Sequence, residues 1–370
     1  MKRILYVLAN EPTGGVGIFV RDFTTHFDDR VHVDFLIYTE QRDTVFQKAI
    51  RKQDTKIYYL PELTVKAYLK LMRLTDEFFR VHAREYDIVH LTYPGQVGMV
   101  LKPAKKYGVP YRIIHSFNTR LSDNPLKSIR NKLFIMNYKK YANVYLACSK
   151  NAGEYLYGKK MAESGEVTYI MNAINCEEYR FDEQRRAEMR NELGIWDDTK
   201  LFLAVGRLEE QKNIGFAVDV FSEVLKKDSA SRLIIIGDGP LKPSIMEKVS
   251  DYGINDSVVF AGFTNRLNDY FNAADVLLFP SLYEGLPITV IDAQCSGLPC
   301  VLSDTISDEV VLTDLVHMRS LNDTPAEWAD TCLSACSTQR RDYTDEITKK
   351  GYNIAKEALR LEQLCLDLGE

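Results

Sequence analysis

Short apolar runs recur along the chain, separated by stretches with the spacing of amphipathic helices. Residues 4–9, 31–38, 88–91, 111–115 and 144–148 form a first series, and residues 201–205, 233–236, 258–261, 276–279 and 300–302 a second. Within each run the aliphatic residues are nearly continuous, which marks strands buried on both faces, and intervening helices make such sheets parallel. The stretch after Asn213 illustrates the helices: Ile214, Ala217, Val218, Phe221, Val224 and Leu225 form one stripe, Asn213 is placed to cap it, and Lys226 and Lys227 stand at the cation-favouring end. Two series predict an α/β chain of two doubly wound, Rossmann-like parallel-sheet domains. The junction is expected near 172–175, giving domains 1–172 and 173–345, with a helix over 346–370 that crosses back to the first. Carboxyl strand ends of two facing sheets would surround one cleft, where such folds bind ligands.

Composition agrees with a soluble globular chain: 45% of the 370 residues are hydrophobic and 27% charged. No apolar run approaches the roughly 18 residues that span a bilayer, and the apolar stretch after Lys2 and Arg3 is too short for an export signal. Seven scattered cysteines without a Cys-x-x-Cys pair point to a reducing compartment, so a cytoplasmic address is expected. Charge changes the picture more. Residues 1–180 carry 28 Lys/Arg against 19 Asp/Glu, whereas residues 181–370 carry 19 against 33. Between 102 and 160, 13 basic residues meet only Asp123 and Glu154. That segment suits an anionic neighbour, such as a diphosphate-bearing acceptor or an anionic membrane surface; no nucleic-acid-binding motif accompanies it, and nucleic acid is not expected as a partner.

Three segments suggest chemistry. The first strand runs into Asn10-Glu11-Pro12-Thr13-Gly14-Gly15-Val16-Gly17, where bare backbone ahead of a helix beginning around Ile18 can approach an anion. Val205-Gly206-Arg207-Leu208-Glu209-Glu210-Gln211-Lys212-Asn213 follows a strand and places two cations on the loop side, suited to a diphosphate. Pro280-Ser281-Leu282-Tyr283-Glu284-Gly285-Leu286-Pro287-Ile288-Thr289-Val290-Ile291-Asp292 joins a strand to a helix with Pro287 in its first turn. The free amides of Leu286, Ile288 and Thr289 there favour a phosphate, and Glu284 and Asp292 bracket it, one suited to a sugar and the other to a ribose.

Taken with Asp87-Ile88-Val89-His90, His115-Ser116-Phe117-Asn118, Ala147-Cys148-Ser149, Gly237-Asp238-Gly239 and Gly297-Leu298-Pro299, these segments resemble the family-4 (group 1) retaining glycosyltransferases, and among them the bacterial capsular and exopolysaccharide enzymes. The resemblance implies the GT-B fold and transfer of a hexose or N-acetylhexosamine, with retention, from a nucleotide diphosphate sugar, UDP being the favoured carrier. It implies no tightly bound cofactor or metal, and a glycan or polyprenyl-linked saccharide as acceptor; the basic segment 102–160 is what would seat the chain on the inner face of the membrane, where a lipid-linked acceptor lives. It gives the first domain to the acceptor and the second to the donor. Arg207 and Lys212 would hold the donor diphosphate, Glu284 the sugar, Asp292 the ribose, and the backbone of Gly285, Leu286, Pro287 and Ile288 the sugar and phosphate. Gly15 and Val16 would approach from the first domain, Gly237 and Phe263 would complete the donor site, and His115 would lie near the donor sugar or acceptor; Glu284, Arg207, Lys212 and His115 form the catalytic set.

Departures from the family pattern are Asp292 where Glu is usual, Gly17 where Glu often follows the Gly-Gly-aliphatic triplet, and Thr92 and Phe117 where His is frequent. Two competing readings share the architecture: a non-hydrolysing UDP-sugar epimerase, which needs acid/base groups around the sugar carbon, and a nucleotide-sugar-binding regulatory protein without turnover.

Overall fold

The structure, a computed structural model, describes residues 1–10, 15–52, 54–64, 66–117, 138–196 and 198–369. Two compact units divide the chain: Met1–Ala173 together with Ile354–Glu370, and Ile174–Asn353.

Seven strands build the first unit: β1 (Lys2–Leu8), β2 (Val31–Tyr38), β3 (Ile57–Leu60), β4 (Ile88–Leu91), β5 (Tyr111–Ser116), β6 (Val144–Ala147) and β7 (Val167–Tyr169). They pair in parallel in the order β3-β2-β1-β4-β5-β6-β7. Alternation along β1 sends Ile4, Tyr6 and Leu8 into one core and Leu5 and Val7 into the other. The continuous apolar run is therefore needed on both faces. Phe19, Val20 and Phe23 of the helix Gly15–His26 cover the first of these cores, joined by Ile354, Ala358, Leu361 and Cys365 of the helix Ile354–Asp367. Two buried carboxylates fasten that last helix: Glu357 accepts from the Met171 amide at 3.1 Å and Glu362 from the Asp28 amide at 2.8 Å. The helix Thr344–Lys349 stays with the second unit, so the return to the first begins at Ile354.

The second unit contains β8 (Leu201–Val205), β9 (Arg232–Ile236), β10 (Val258–Gly262), β11 (Val276–Phe279), β12 (Cys300–Ser303) and β13 (Val316–Arg319), parallel in the order β10-β9-β8-β11-β12-β13. Phe221 of the helix Ile214–Lys227 and Trp328 of the helix Pro325–Ala335 fill one core. Thr324 and Glu327 close a capping box at the start of the second helix.

In each sheet the winding reverses once, between β1 and β4 and between β8 and β11. The carboxyl ends of strands at such a reversal leave a crevice uncovered by helices, which is where open α/β sheets take ligands.

Candidate active site

Because β8 and β11 are neighbours, the loops leaving them are neighbours too, although about 70 residues separate them in sequence. The loop after β8 holds Arg207 and Lys212, and the loop after β11 holds Glu284. Backbone and amide bonds join the two: the Leu282 amide donates to the Gln211 carbonyl at 2.8 Å, and Gln211 Nε2 donates to the Tyr283 carbonyl at 3.0 Å. Across this seam Lys212 Nζ pairs with Glu284 Oε1 at 2.5 Å, with side-chain exposures of 19% and 10%. The ammonium also lies 5.0 Å from the centre of the Phe279 ring, a cation–π contact worth roughly 0.5–2 kcal/mol. Lys212 is thus positioned from two sides. Arg207 differs: its side chain is 74% exposed and pairs with Glu209 at 3.1 Å.

Glycines make this packing feasible. A Cβ on Gly206 would stand 3.0–3.2 Å from Cγ, Cδ and Cε of Lys212, so the bare backbone lets the lysine stem lie across the strand end. Gly237, at φ 129°, would carry a Cβ 2.0 Å from the Gly206 carbonyl oxygen. Its amide donates to the Gly262 carbonyl at 2.8 Å, so the carboxyl ends of β8, β9 and β10 run side by side as Gly206, Gly237 and Gly262. Phe263 follows directly and is 90% exposed.

The helix after Glu284 spans Ile288–Cys295, with Pro287 at its N-cap rather than within the first turn. The Val290 amide bonds to the Pro287 carbonyl at 3.0 Å, whereas those of Leu286, Ile288 and Thr289 make no backbone hydrogen bond among the described residues. Gly285 and Leu286 bridge Glu284 to this amide cluster. Asp292, the fifth residue of the helix, is only 7% exposed. Asn213 also departs from expectation. It takes a left-handed conformation and makes no side-chain cap; its Nδ2 donates instead to the Pro280 carbonyl at 3.2 Å. This is a fourth contact between the two loops.

In the first unit Gly15 opens the helix, three residues earlier than the sequence pattern suggested. It is exposed, and a Cβ added there would have no atom within 4 Å; Val16 packs against the core behind it. Residues 11–14, including Gly14, and Asn118 lie outside the described residues. His115 is fully buried: Phe117 stacks on its ring at 4.1 Å, Phe19 meets it edge-on at 5.1 Å, and its Nδ1 lies 3.1 Å from Nε2 of the equally buried His90. Burial lowers the pKa of His90 to about 3. Burial, and then the neighbouring His90, depress that of His115 well below the usual histidine range.

Two family models match this chain, "Glycosyl transferases group 1" over residues 199–337 and "Glycosyltransferase Family 4" over residues 13–178. The chain belongs to the family 4, group 1 glycosyltransferases. EpsF of Bacillus subtilis (strain 168), designated a glycosyltransferase, is 29% identical over 95% of this chain and 93% of its own length. The Escherichia coli UDP-Gal:alpha-D-GlcNAc-diphosphoundecaprenol alpha-1,3-galactosyltransferase is 23% identical over 85% of this chain and 84% of its own. Among solved structures, HepE of Anabaena in complex with UDP aligns with a TM-score of 0.74 at 16% identity, covering 100% of this chain and 96% of that one. Sucrose-phosphate synthase of Thermosynechococcus elongatus reaches 0.77 at 18% identity, covering 100% and 99%. The fold is GT-B.

Some of this glycosyltransferase's site features escaped sequence reasoning. Gln211 and Phe279 were not singled out, yet they steady the Glu284 loop and the Lys212 ammonium. The only signal for Gln211 was its place between two assigned cations; Phe279, as the last residue of an apolar strand, carried none. Among the described residues no group of three or more His, Cys, Asp or Glu is placed to hold a metal ion, and no helix is long and apolar enough to cross a membrane.

Proposed function

We propose that this glycosyltransferase moves a hexose or N-acetylhexosamine from a UDP-sugar to a glycan or lipid-linked saccharide, with retention and without a bound metal, in the building of capsular or exopolysaccharide. The observation that carries this reading is the Lys212–Glu284 pair beside the amides that open the helix Ile288–Cys295. An ammonium has three N–H donors, and Glu284 occupies one; the others remain for a phosphate. Cation and helix start then face the same anion, where departure of the nucleotide builds negative charge. Arg207, exposed and flexible in reach, closes on the diphosphate from the solvent side. Glu284 orients the sugar, Asp292 holds the ribose, and the exposed Phe263 ring at the end of β10 offers a stacking surface for the base. From the first unit, Gly15 gives the phosphate open backbone to approach, and His115 serves the sugar or acceptor.

Retention follows from attack on the face the nucleotide leaves, with a departing phosphate oxygen taking the acceptor's proton. Names among the relatives support this: the Escherichia coli enzyme joins an alpha-1,3 linkage from UDP-Gal, and a Streptococcus pneumoniae relative, 24% identical over 80% of this chain, is an alpha-monoglucosyldiacylglycerol synthase. Hexoses are ordinarily α-linked in UDP donors, so an α product keeps the configuration. HepE, crystallised with UDP and with UDP-glucose, supports the choice of nucleotide.

A lipid-linked acceptor places the enzyme on the cytoplasmic membrane face. The exposed Lys102, Lys139, Lys159 and Lys160 supply the attraction for an anionic leaflet; residues 118–137 of the same basic segment lie outside the described residues. Sedimentation with anionic liposomes at low salt tests this, and failure to bind excludes it. For the reaction, nucleotide release is measured over a panel of nucleotide sugars with and without lipid-linked acceptors. Acceptor-dependent UDP release is expected. Interconversion of the sugar without acceptor would indicate an epimerase, and binding without turnover a regulatory module.

A further inference from the structure

Two histidines in the first unit share a hydrogen bond that the donor platform does not use. β1, β4 and β5 are adjacent, and their register sets Tyr6 beside His90 and His90 beside Ile113, so His115 stands diagonally across from His90 on the same face. Nε2 of His90 lies 3.1 Å from Nδ1 of His115, with the rings 5.3 Å apart and inclined by 21°. Tyr6 stacks on His90 at 4.4 Å, and Phe19 and Phe117 enclose His115. The outer nitrogens, Nδ1 of His90 and Nε2 of His115, are buried and meet no partner among the described residues. A buried polar group left without a partner is costly, so two of them on one hydrogen-bonded pair call for an explanation.

Only one proton fits between the facing nitrogens. Were it on Nδ1 of His115, both rings would take the Nδ1–H form, the less stable tautomer of a neutral histidine side chain. Supplied from Nε2 of His90, it leaves both rings in the more stable Nε2–H form. His115 then turns an N–H outward on the side away from His90, since the hydrogen bond at one ring nitrogen decides the state of the other. We infer that His90 is a positioning residue that locks His115 as a neutral Nε2–H donor for an oxygen of the transferred sugar or of the acceptor. The identity of that oxygen rests on the proposed reaction; the lock itself does not. One consequence is chemical. With its Nδ1 lone pair engaged by His90, His115 has no free base nitrogen, so the acceptor's proton must leave by another route, consistent with uptake by the departing phosphate.

The tautomer can be read on the intact chain. In long-range proton–nitrogen spectra of the full-length protein labelled with 15N at its six histidines, with His115 identified through the His115→Asn variant, His115 is expected in the Nε2–H form throughout about pH 5.5 to 8. His90→Phe keeps a ring against Tyr6 but offers no donor. It should let the His115 tautomers mix and lower kcat about tenfold, the loss of one neutral hydrogen bond, with UDP affinity unchanged. His90→Gln, whose amide can donate, should restore most of the rate. Finding His115 of the unaltered protein in the Nδ1–H form overturns the lock, as does a His90→Phe variant that keeps both tautomer and rate. Because the first reading needs no substitution, misfolding of a variant does not spare the inference. Absence of UDP-sugar binding to the unaltered protein would strike the proposed reaction and leave the tautomer result standing.

Discussion

Lys212 and Glu284 illustrate how one contact serves two ends. Each holds the other in a largely buried position, and removing either partner of such a pair leaves a charge uncompensated. Lys212→Ala is expected to lower kcat by roughly 100-fold, the ~3 kcal/mol typical of one lost donor to a developing anion. Glu284→Gln should also slow transfer, measured as nucleotide release under saturating donor; full activity in that variant beside an inactive Lys212→Ala would remove Glu284 from sugar positioning. The buried histidines make a separate prediction. Their folded pKa values lie below the ordinary value, His90 at about 3 against 6.5, so below pH 6.5 an unfolded chain binds protons that the folded rings refuse. Stability is therefore level above that point and falls with pH through the window beneath it, by up to ~1.4 kcal/mol per pH unit for each ring. Urea unfolding at a series of pH values should show this slope, and His90→Phe should make it shallower.

At the scale of elements, the strand ends of the second sheet depend on bare backbone. Gly237→Ala would place a Cβ at 2.0 Å from a neighbouring carbonyl oxygen in addition to its left-handed conformation, and should cost at least ~2 kcal/mol in thermal unfolding. Gly253→Ala, at φ 66° and with nothing within 4 Å, serves as the comparison and should cost only the ~1–2 kcal/mol of backbone strain. The central strands of both sheets were legible because burial on two faces leaves an unbroken apolar run. β3, β7 and β13, at three of the four sheet edges, were not read. Their residues are mostly half-buried, and β7 has only three of them. The site divides in the same way. Arg207, Lys212, Glu284 and the start of the helix Ile288–Cys295 stand out as local motifs, but pairings such as Lys212 with Glu284 or His90 with His115 join residues from different strand ends. Only the sheet order creates them. Asn213 does stand at the N-cap position, but its left-handed backbone, which local preference does not reveal, departs from the extended conformation of a side-chain cap.

For the whole molecule, the chain's last helix belongs to its first core. Ending the chain after Asn353 would strip Ile354, Ala358, Leu361 and Cys365 from the face that covers β1 and leave the Met171 and Asp28 amides without Glu357 and Glu362. Calorimetric melting of that truncated chain should show the first unit unfolding at lower temperature, with increased binding of a hydrophobic dye; an unchanged melt would contradict the packing. The two halves of the chain differ in charge, positive before residue 180 and negative after it. The most direct measurement is titration calorimetry of UDP and UDP-sugars into the full chain and into Lys212→Ala. Saturable binding to the unaltered protein is expected, weakened at least about tenfold in the variant. No heat at millimolar concentration with any uridine, guanosine or adenosine diphosphate compound, from protein that melts cooperatively, would contradict it.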